Sequence, residues 1–473
     1  MGTATVGGKR NTLSRRNLVI VIALVILYII IANIPNDGAS LSMEGQKILA
    51  LMVVTIIAWI FEVIPIGLMA MVALMLQIPL GIMDMSATMV NFGQNIFFFV
   101  IGCFGIASAM RRSGLGTRLM LAVTILSRGN AKKMLFMFMA LCAFISMFIS
   151  DVAITAMLFP IALAILKENG MEPGKSRYGK AMMLGIPIAA LIGGIGTPAG
   201  APMNYLALSL LEQAVGMQIT FLQWTCIGVP IVFILTPIAW FILVKMLPPE
   251  KEQLEGAEEA KLKYQQLGKL TSAEWKFIII FIITLIFWLA EPSWLPLPVT
   301  SFFSGVLFFL PGININDASV LQKDVDWNVL MLNVCSAGLG AGVLQTGAAA
   351  WLANGVLGGL NGMNPIVIMI GISLFTVFIH LVCPVNTALV SILVPAIAVM
   401  STTMGISPAL VVLPVAFTTS CAMLFPLDTV PALTLSTGYY KMTEMFKPGV
   451  VISLAWVAVQ TIVVLVLFKP LGF

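Results

Sequence analysis

The chain has 473 residues, of which 60% are hydrophobic and only 10% are charged, and its mean hydropathy is +1.04. Soluble domains carry roughly 25% charged residues, so this composition excludes a soluble multidomain protein and predicts a multi-pass protein of the cell (inner) membrane. One histidine, 20 acidic and 25 basic residues argue against metal-cluster chemistry and nucleic-acid binding, and the six cysteines form no CxxC pair of the kind that holds zinc. We therefore expect the lipid bilayer as a partner, no nucleic acid and no structural metal.

Apolar stretches divide the chain into about 11 transmembrane helices, at roughly 20 residues for each crossing. They cover residues 17–34, 46–62, 64–82, 94–110, 181–212, 221–246, 275–291, 298–311, 327–345, 408–438 and 448–470. Residues 1–16 precede the first stretch and include four basic residues, which predicts a cytoplasmic N-terminal tail. Residues 247–274 carry charges of both signs and predict a cytoplasmic linker between a first membrane half, 17–246, and a second, 275–473.

Two more apolar stretches, 134–166 and 364–400, are too long for one crossing, and each is interrupted in the middle. Basic residues with no acid among them precede the first stretch and further bases follow it, so both of its ends should face the cytoplasm. It predicts a re-entrant hairpin that turns back inside the membrane. The flanks of the second stretch carry no charge, which suits a re-entrant hairpin that opens on the outer side. For both stretches, two ordinary helices joined by a tight turn are the alternative.

The two halves share a residue pattern at a nearly constant offset. The matched pairs include Asn95 with Asn328, Gly105 with Gly338, Gly114 with Gly347, Ala153 with Ala388 and Pro160 with Pro395. Since the two predicted hairpins open on opposite sides, the two repeats are inverted. Inverted repeats are the architecture of secondary transporters, which bind substrate near the membrane midplane. A channel remains the alternative.

A segment rich in helix breakers follows each hairpin, at 193–204 and at 425–432. Glycine and proline interrupt the helical hydrogen-bond ladder and release backbone groups. Free amides at the start of a new helix favour an anion, and free carbonyl oxygens can hold a small cation. Kinks that serve packing alone are the alternative, which is weakened because both halves place such a segment after a hairpin.

These motifs, in this order and spacing, resemble those of the divalent anion/sodium symporter family, the dicarboxylate, citrate and sulfate carriers, over nearly the whole chain. That family has a Ser-Asn-Thr motif at each hairpin tip. Here the first tip keeps Ser150 but has Asp151 and Val152. The second tip keeps Asn386 and Thr387 but has Val385. The broken-helix motifs are matched by Thr197, Gly200, Pro202 and Asn204 in the first half, and by Thr429 and Pro431 in the second, where Asp428 and Ala432 depart.

The resemblance implies an all-α polytopic membrane protein with a scaffold unit and a transport unit. The transport unit would consist of the two hairpins and the two broken helices, and would slide as a body in an elevator-type mechanism. The resemblance also implies a homodimer, and a small dicarboxylate anion whose carboxylates are held by hydroxyls, amides and helix N-termini. The residues expected to bind it are Ser150, Asp151, Gly200, Pro202, Asn386, Thr387, Thr429 and Pro431.

Sodium is the one coupling ion that the resemblance suggests, and no other cofactor is expected. Its candidate oxygen ligands are Ser146, Ser150, Asp151, Thr197 and Gly200. Ser146 lies one helical turn before Ser150, and a hydrogen bond within its own helix is the alternative for its side chain. An ionised Asp151 beside a bound dianion would repel it. We therefore expect Asp151 to be protonated, neutralised by a cation, or turned away from the substrate.

Two unusual residues appear in the second half, His380 in the first arm of the outer hairpin and Asp428 in the broken helix. A contact between them would supply a fixed charge pair where relatives bind an ion, which predicts exchange of C4 or C5 dicarboxylates without sodium. A neutral His380 bonded to a backbone carbonyl is the alternative, and a sodium-coupled dicarboxylate or citrate symporter is the alternative function.

An intramembrane enzyme would need a nucleophile and a base within reach of each other. Only Ser150 with Asp151, or His380 with Asp428, qualify in this sequence. Because both pairs fall in matching hairpin settings of the two halves, the sequence favours transport and predicts that the protein is not an enzyme.

Overall fold

The computed structural model describes residues 15–36, 41–92, 94–356, 359 and 362–473, so the predicted tail 1–16 lies outside the described residues except for its last two. Within these ranges the regular structure consists of α-helices, a short 3-10 helix at Met442–Glu444 and an isolated β-bridge between Asn130 and Gln253. The described part of the chain is therefore all-α, as the sequence predicts.

The helices of the first half and the linker are α1 Arg15–Ala32, α2 Met43–Ile60, α3 Ile66–Leu76, α4 Met85–Phe92, α5 Asn95–Ser113, α6 Leu115–Leu126, α7 Ala131–Ser146, α8 Asp151–Glu168, α9 Arg177–Gly194, α10 Pro202–Val215, α11 Phe221–Met246 and α12 Ala257–Leu267. Those of the second half are α13 Ser272–Ala290, α14 Leu297–Leu307, α15 Ser319–Lys323, α16 Trp327–Gln345, α17 Ala348–Val356, α18 Pro365–Ile379, α19 Asn386–Thr403, α20 Pro408–Thr418, α21 Thr429–Leu435 and α22 Phe446–Phe468.

Seven helical stretches in the described residues are long and apolar enough to cross a membrane. They are α2, α5 (which follows α4 within the stretch Met85–Ser113), α11, α13, α16, α19 and α22, and shorter apolar helices accompany them at Asn17–Ala32, α3, α6, α14, α18 and α20. A multi-pass membrane protein is thus confirmed. The number of long stretches is smaller than the predicted number of spans because helix breakers shorten several of them. The predicted spans 181–212 and 408–438, for example, each contain two helices.

The four interruptions that the sequence predicts coincide with helix ends. In chain order, α7 ends at Ser146 and α8 begins at Asp151, α9 ends at Gly194 and α10 begins at Pro202, α18 ends at Ile379 and α19 begins at Asn386, and α20 ends at Thr418 and α21 begins at Thr429. Residues 134–166 and residues 364–400 each form two helices. Re-entrant hairpins and their alternative, two helices joined by a tight turn, both predict this division.

Helix starts fall into two groups according to whether a side chain caps them. Asn130, Ser176, Thr220 and Thr271 cap α7, α9, α11 and α13, each accepting a hydrogen bond from a first-turn amide. By contrast, the residue before α8, α10 or α19 forms no side-chain cap. Starts away from the predicted site, such as those of α6, α14 and α22, also lack a side-chain cap, whereas α21 at the site is capped by Asp428. At α8, α10 and α19 the preceding side chain does not occupy the first-turn amides.

The two halves interleave, because helices of each half pack against helices of the other. α3 of the first half packs against α16 of the second, and α14 of the second packs against α5 of the first. The approach of α5 to α14 is close, since a Cβ added to Gly102 would lie 2.3 Å from the Ser301 carbonyl oxygen. Further along, α10 packs against α19 and α20, and α21 packs against α8 and α9. The starts of α8, α10, α19 and α21 thereby come together.

The far end of the linker is fastened to the first half. α12 packs against α6, and Arg118 of α6 makes a two-pronged ion pair with Glu274 near the start of α13, at 2.6 and 3.0 Å. The same guanidinium donates to the carbonyl oxygens of Gly268 and Lys269. In the sequence, Arg118 counts only as one of the basic residues that indicate the cytoplasmic side. The structure gives it a second role as the anchor of the linker.

The near end of the linker is fastened as well. The backbone amide of Leu254 donates to the Gly129 carbonyl oxygen at 2.7 Å. The side chain of Asn169 binds Glu255 twice, accepting from its amide at 2.7 Å and donating to its carbonyl oxygen at 3.1 Å. The segment between the halves is therefore held on both sides of α12.

Candidate substrate site

A cavity of about 940 Å³ is lined by the first residues of four helices. These are Asp151 of α8, Pro202 of α10, Asn386 of α19 and Thr429 of α21. A volume of this order holds a small molecule. A helix N-terminus carries a partial positive charge, so four of them around one cavity favour an anion there. The Val152 amide of α8 and the Val430 amide of α21 are already bound by Asp151 and Asp428.

The structure brings most of the predicted site residues to this cavity. Those that line it are Ser150, Asp151, Pro202, Asn386, Thr387, Asp428 and Thr429. Those that do not are Ser146, Thr197, Gly200, His380 and Pro431. Pro431 lies inside α21, where its carbonyl oxygen accepts a hydrogen bond from the Tyr440 hydroxyl at 2.8 Å. The four others lie in the framework around the two tips.

Two predicted hydroxyls near the first tip join helices rather than face the cavity. Ser146 donates its hydroxyl to the Ala190 carbonyl oxygen of α9 at 2.7 Å, so the alternative of a bond within its own helix is wrong. Thr197 donates its hydroxyl to the Met147 carbonyl oxygen. The Thr197 hydroxyl oxygen also accepts from the Ala199 amide at 3.1 Å, so one of its lone pairs is used and one remains for a cation.

Gly200 permits a close approach of backbone oxygens behind the first tip. A Cβ at this position would lie 2.4 Å from the Gly194 carbonyl oxygen and 2.7 Å from the Ser146 carbonyl oxygen. Asn204 fixes the same segment, because its side-chain amide donates to the carbonyl oxygens of Gly194 and Thr197 at 2.7 and 2.9 Å. The amide oxygen of Asn204 is buried and has no donor among the described residues. This neighbourhood is therefore rich in oxygen atoms.

Asp151 borders the cavity although its side chain is almost wholly buried, at 5% exposure. The three expectations for Asp151, a proton, a neutralising cation or a side chain turned from the substrate, stay predictions. Its Oδ1 accepts a hydrogen bond from the Val152 amide at 2.8 Å, which occupies a free amide of α8. Within the described ranges, no lysine or arginine forms an ion pair with it. A bound dianion therefore requires either a proton or a cation at Asp151.

The second tip contains a hydrogen-bonded pair that the sequence analysis missed. The side-chain amide of Asn386 donates to Oδ2 of Asp428 at 2.7 Å. The other carboxylate oxygen, Oδ1, accepts from the Val430 amide at 3.0 Å and so caps α21. The departure of Asp428 from the family pattern was the signal in the sequence for this pair. The partner of Asp428 could not be identified without the fold.

The predicted direct contact between His380 and Asp428 is not present. Instead, Nδ1 of His380 lies 2.6 Å from the Thr376 carbonyl oxygen and Nε2 lies 3.0 Å from the Thr419 carbonyl oxygen. Because both ring nitrogens are held by carbonyl groups, neither is free to bind the carboxylate. His380 and Asp428 nevertheless border the same void of about 10 Å³, so they are neighbours without a hydrogen bond.

Further charged residues line the cavity, and the sequence analysis did not select them. They are Glu62, Arg111, Lys323, Asp324 and Asp326. Most of them lie at the end of α5 or just before α16. These two helices contain the matched residues Asn95 and Asn328, so the repeat alignment was the sequence signal that could have indicated these charged residues. Together with Asp151 and Asp428 they give the cavity an excess of acids over bases. A dianion that enters needs protons or cations to offset this charge.

Asp324 joins the two halves at the edge of the cavity. It pairs with Arg111 at 3.1 Å and accepts hydrogen bonds from Ser108 and Arg112 at 2.5 and 3.2 Å. Burial opposes ionisation, but the Ser108 hydroxyl and the two guanidiniums outweigh it and lower the pKa of Asp324 from its ordinary value. Asp324 is thus a carboxylate already compensated by the chain.

The sequence profile described as "Sodium:sulfate symporter transmembrane region" matches residues 15–473. The chain belongs to this family. Within it, the chain is 30% identical over 457 residues to the sodium-dependent dicarboxylate transporter SdcS of Staphylococcus saprophyticus, covering 91% of this chain and 88% of that protein. It is 31% identical over 465 residues to SdcS of Staphylococcus aureus (strain bovine RF122), covering 92% and 86%.

Two solved structures share the fold of this member of the sodium:sulfate symporter family. The YdaH transporter of Alcanivorax borkumensis matches with a TM-score of 0.55 over 81% of this chain and 88% of its own. MtrF of Neisseria gonorrhoeae, described among antimetabolite efflux pumps, matches with a TM-score of 0.56 over 96% and 95%. Both are 15% identical to this chain, so the likeness shows the fold alone.

Membership of the sodium:sulfate symporter family confirms the resemblance carried by the hairpin and broken-helix motifs. With the membrane-spanning helices, it establishes a membrane transporter and not an enzyme.

Proposed function

We propose that this chain is a secondary transporter of C4 and C5 dicarboxylates that works by an elevator-type mechanism. The observation that carries the proposal is the meeting of four helix N-termini, from both halves, at one cavity. A substrate with two carboxylates needs two anion positions, and amides and hydroxyls can hold it without the desolvation cost of buried arginines. The SdcS proteins to which the chain is similar are named dicarboxylate transporters.

The start of α19 is the proposed binding position of one substrate carboxylate. Since Val385 provides no side-chain cap, the backbone amides of Asn386 and Thr387 lack a helical acceptor. Thr387 also places a hydroxyl-bearing side chain at the cavity. The start of α10 is uncapped as well and is the proposed position of the other carboxylate. These two helices come from different halves, so the substrate would bridge them.

The packing supports a division into a transport unit and a scaffold unit. α7 and α8 pack against α9, α18 and α19 pack against α20, and α10 and α21 cross to the opposite half. The pairs α3 with α16 and α5 with α14 lie outside this group. In the proposed mechanism the first group slides past the second and carries both tips with it. The inverted repeats, the re-entrant course of the hairpins and the homodimer belong to the same proposal.

Two modes of coupling follow from different observations. Exchange without sodium is favoured by His380 and Asp428 in the second half, where the chain itself supplies charged groups. Sodium-coupled symport of a dicarboxylate or citrate is favoured by the names of the SdcS relatives and by the oxygen atoms around Ser146, Thr197 and Asp151. The two modes differ in whether an external cation is required.

Counterflow in proteoliposomes tests the proposed function. Vesicles loaded with unlabelled succinate should take up labelled succinate, and external C4 and C5 dicarboxylates should compete with it more strongly than sulfate does. Equal uptake in sodium and in choline identifies exchange, and uptake only with an inward sodium gradient identifies symport. No uptake in either medium, or competition by sulfate alone, would contradict dicarboxylate transport.

A further inference from the structure

Three helices, α7, α11 and α22, form a row in which α11 packs against both of the others. Near the end of α11, the Trp240 indole donates to the Lys132 carbonyl oxygen in the first turn of α7 at 3.0 Å. At the start of α11, the Gln223 side chain donates to the carbonyl oxygen of Leu471, beyond the end of α22, at 3.1 Å. The end of α11 and the starts of α7 and α22 therefore lie on the same side of the protein.

The row presents apolar side chains on its outer surface. Those more than half exposed include Phe144 of α7, Phe233 and Phe241 of α11, and Leu454, Ile462 and Val466 of α22. Exposed apolar surface of this extent on helices that cross a membrane faces the acyl chains of lipids. The Trp240 ring packs edge to face against Phe136, with ring centres 5.3 Å apart. Because tryptophan lies at the level of the lipid headgroups, Trp240 marks where the apolar surface ends.

Exposed lysines follow at this level on all three helices. They are Lys132 and Lys133 in the first turn of α7, Lys245 in the last turn of α11 and Lys447 in the first turn of α22. None of them forms an ion pair with an acid of the described ranges. The Lys245 ammonium lies 6.0 Å from the centre of the exposed Phe241 ring, so it stands directly beside the lipid-facing surface.

The acids near these helix ends do not cancel the charge of the lysines. Glu250 and Glu444 are already paired with Arg177 and Lys180. Glu252 is exposed and adjoins α7, because its backbone carbonyl oxygen accepts from the Ala131 amide at 3.0 Å. One carboxylate thus stands against four ammonium groups, and a positive excess remains beside the apolar surface.

We propose that the row of α7, α11 and α22 binds a phospholipid with an anionic headgroup. Its phosphate lies among the four lysines and its acyl chains cover the exposed side chains of α11. An excess of basic residues marks the cytoplasmic side of a membrane protein, so the lipid belongs to the cytoplasmic leaflet. A soluble phosphate would meet the same charges but could not cover the apolar surface. The site is separate from the substrate cavity, and lipid binding does not depend on which substrate is carried.

The choice of lipid can be measured on the full chain, freed of lipid in a neutral detergent. Phosphatidylglycerol should raise the melting temperature more than phosphatidylcholine with the same acyl chains, and the lipid concentration at half the maximal shift gives the affinity. Soluble glycerol phosphate at the same concentration should have no effect. Equal shifts with the two lipids, or a shift with glycerol phosphate as large as that with phosphatidylglycerol, would overturn the proposal.

A pair of triple variants locates the lipid. Lys132→Gln, Lys133→Gln and Lys245→Gln together should weaken phosphatidylglycerol binding about fivefold for each lysine removed, and should leave the effect of phosphatidylcholine unchanged. The control removes the same charge from exposed lysines that are ion-paired, by Lys175→Gln, Lys261→Gln and Lys263→Gln, and should bind as the natural chain does. Equal weakening in both variants would show that the attraction comes from the overall charge and would overturn the site. Because no substrate is present, a failure of dicarboxylate transport would leave this result unaffected.

Discussion

Asp151, at the first tip, and Asp428, which precedes α21 and binds the second tip, line the same cavity, but their carboxylates have different numbers of partners. At the first tip, Asp151 accepts a hydrogen bond from the neighbouring Val152 amide. At the second, Asp428 accepts from both Asn386 and the Val430 amide and lies beside His380. Asp428 is only partly buried, and these partners stabilise its carboxylate within the chain. The first tip leaves a place for an external cation or a proton.

The same difference appears at the four helix starts. α8 and α21 begin with carboxylates of their own, which bind the first amides and stabilise the helix. α10 and α19 begin without a side-chain cap. A carboxylate that occupies an amide competes with a substrate carboxylate for it. We therefore propose that α10 and α19 bind the substrate carboxylates, and that α8 and α21 carry the groups that need charge compensation.

The compensation at the second tip is tested most strongly by Asp428→Ala. The Asn386 side chain and the Val430 amide both lose their acceptor, and each unsatisfied donor costs about 1 to 3 kcal/mol, so the melting temperature in detergent should fall. Removing both charges together, by Asp428→Asn with His380→Gln, should recover part of this loss. Asp317→Ala, an exposed acid paired with Arg112, is the control and should cost less than about 1 kcal/mol. A double variant as unstable as Asp428→Ala would show that the two residues are not coupled.

The assignment of substrate to α19 is tested by Asn386→Ala and Thr387→Ala. Loss of a hydrogen bond to a charged group costs about 1.5 to 3 kcal/mol. Thr387→Ala removes a hydroxyl at the cavity and Asn386→Ala removes the side-chain donor to Asp428, so each variant should bind succinate more weakly by that amount in isothermal titration. Thr402→Ala, an exposed position near the other end of α19 whose hydroxyl is bound within the helix, should bind as the natural chain does. Unchanged affinity in both tip variants would move the substrate away from α19.

The first tip should depend on close backbone packing, which Gly200→Ala tests. The added Cβ would meet two carbonyl oxygens that belong to the backbone, and overpacking of this kind costs about 1 to 3 kcal/mol. A lower melting temperature is expected, with any sodium effect on stability reduced. Gly371→Ala in α18 has no atom within 4 Å of the added Cβ and serves as the matched glycine control. Equal stability of the two variants would remove the packing argument.

The smallest effect is expected from Asp151→Asn. Loss of this charge frees the start of α8 for an anion, which is worth about 0.3 to 1 kcal/mol, so succinate should bind slightly more tightly in the absence of sodium. The dependence of binding on added cations should become weaker. Glu172→Gln, an exposed acid paired with Lys175, controls for the change in net charge. Weaker binding by Asp151→Asn in every medium would show that the carboxylate itself is required.

Much of the fold could be predicted because helix breakers act locally. The interruptions near Ser150 and Asn386, and the broken segments before Pro202 and Thr429, are visible in the sequence because glycine, proline and polar residues stand inside apolar runs. The number of spans was harder to predict, since a run such as 181–212 has the composition of one long helix but contains two. Apolar composition determines burial in lipid without determining where each helix ends.

The individual contacts of the site could not be predicted, because they join residues far apart in the chain. His380 was expected to bind Asp428, but it binds two carbonyl oxygens, and Asn386 takes its place at the carboxylate. Ser146 was given one alternative, its own helix, yet it binds Ala190. In each case the residue type indicated that a partner was needed. Only the packing of α18, α19 and α9 against their neighbours decided which partner was available.

The fastening of the linker has a practical consequence for work on this protein. Hydrogen bonds hold residues 254 and 255 to the first half, and the ion pair of Arg118 with Glu274 holds the start of the second half to it. A gene divided between these two anchors, beside α12, should therefore yield two fragments that reassemble when they are produced together. The same position should accept an inserted fluorescent protein, which gives the transporter a reporter on the face of the linker without disturbing either tip.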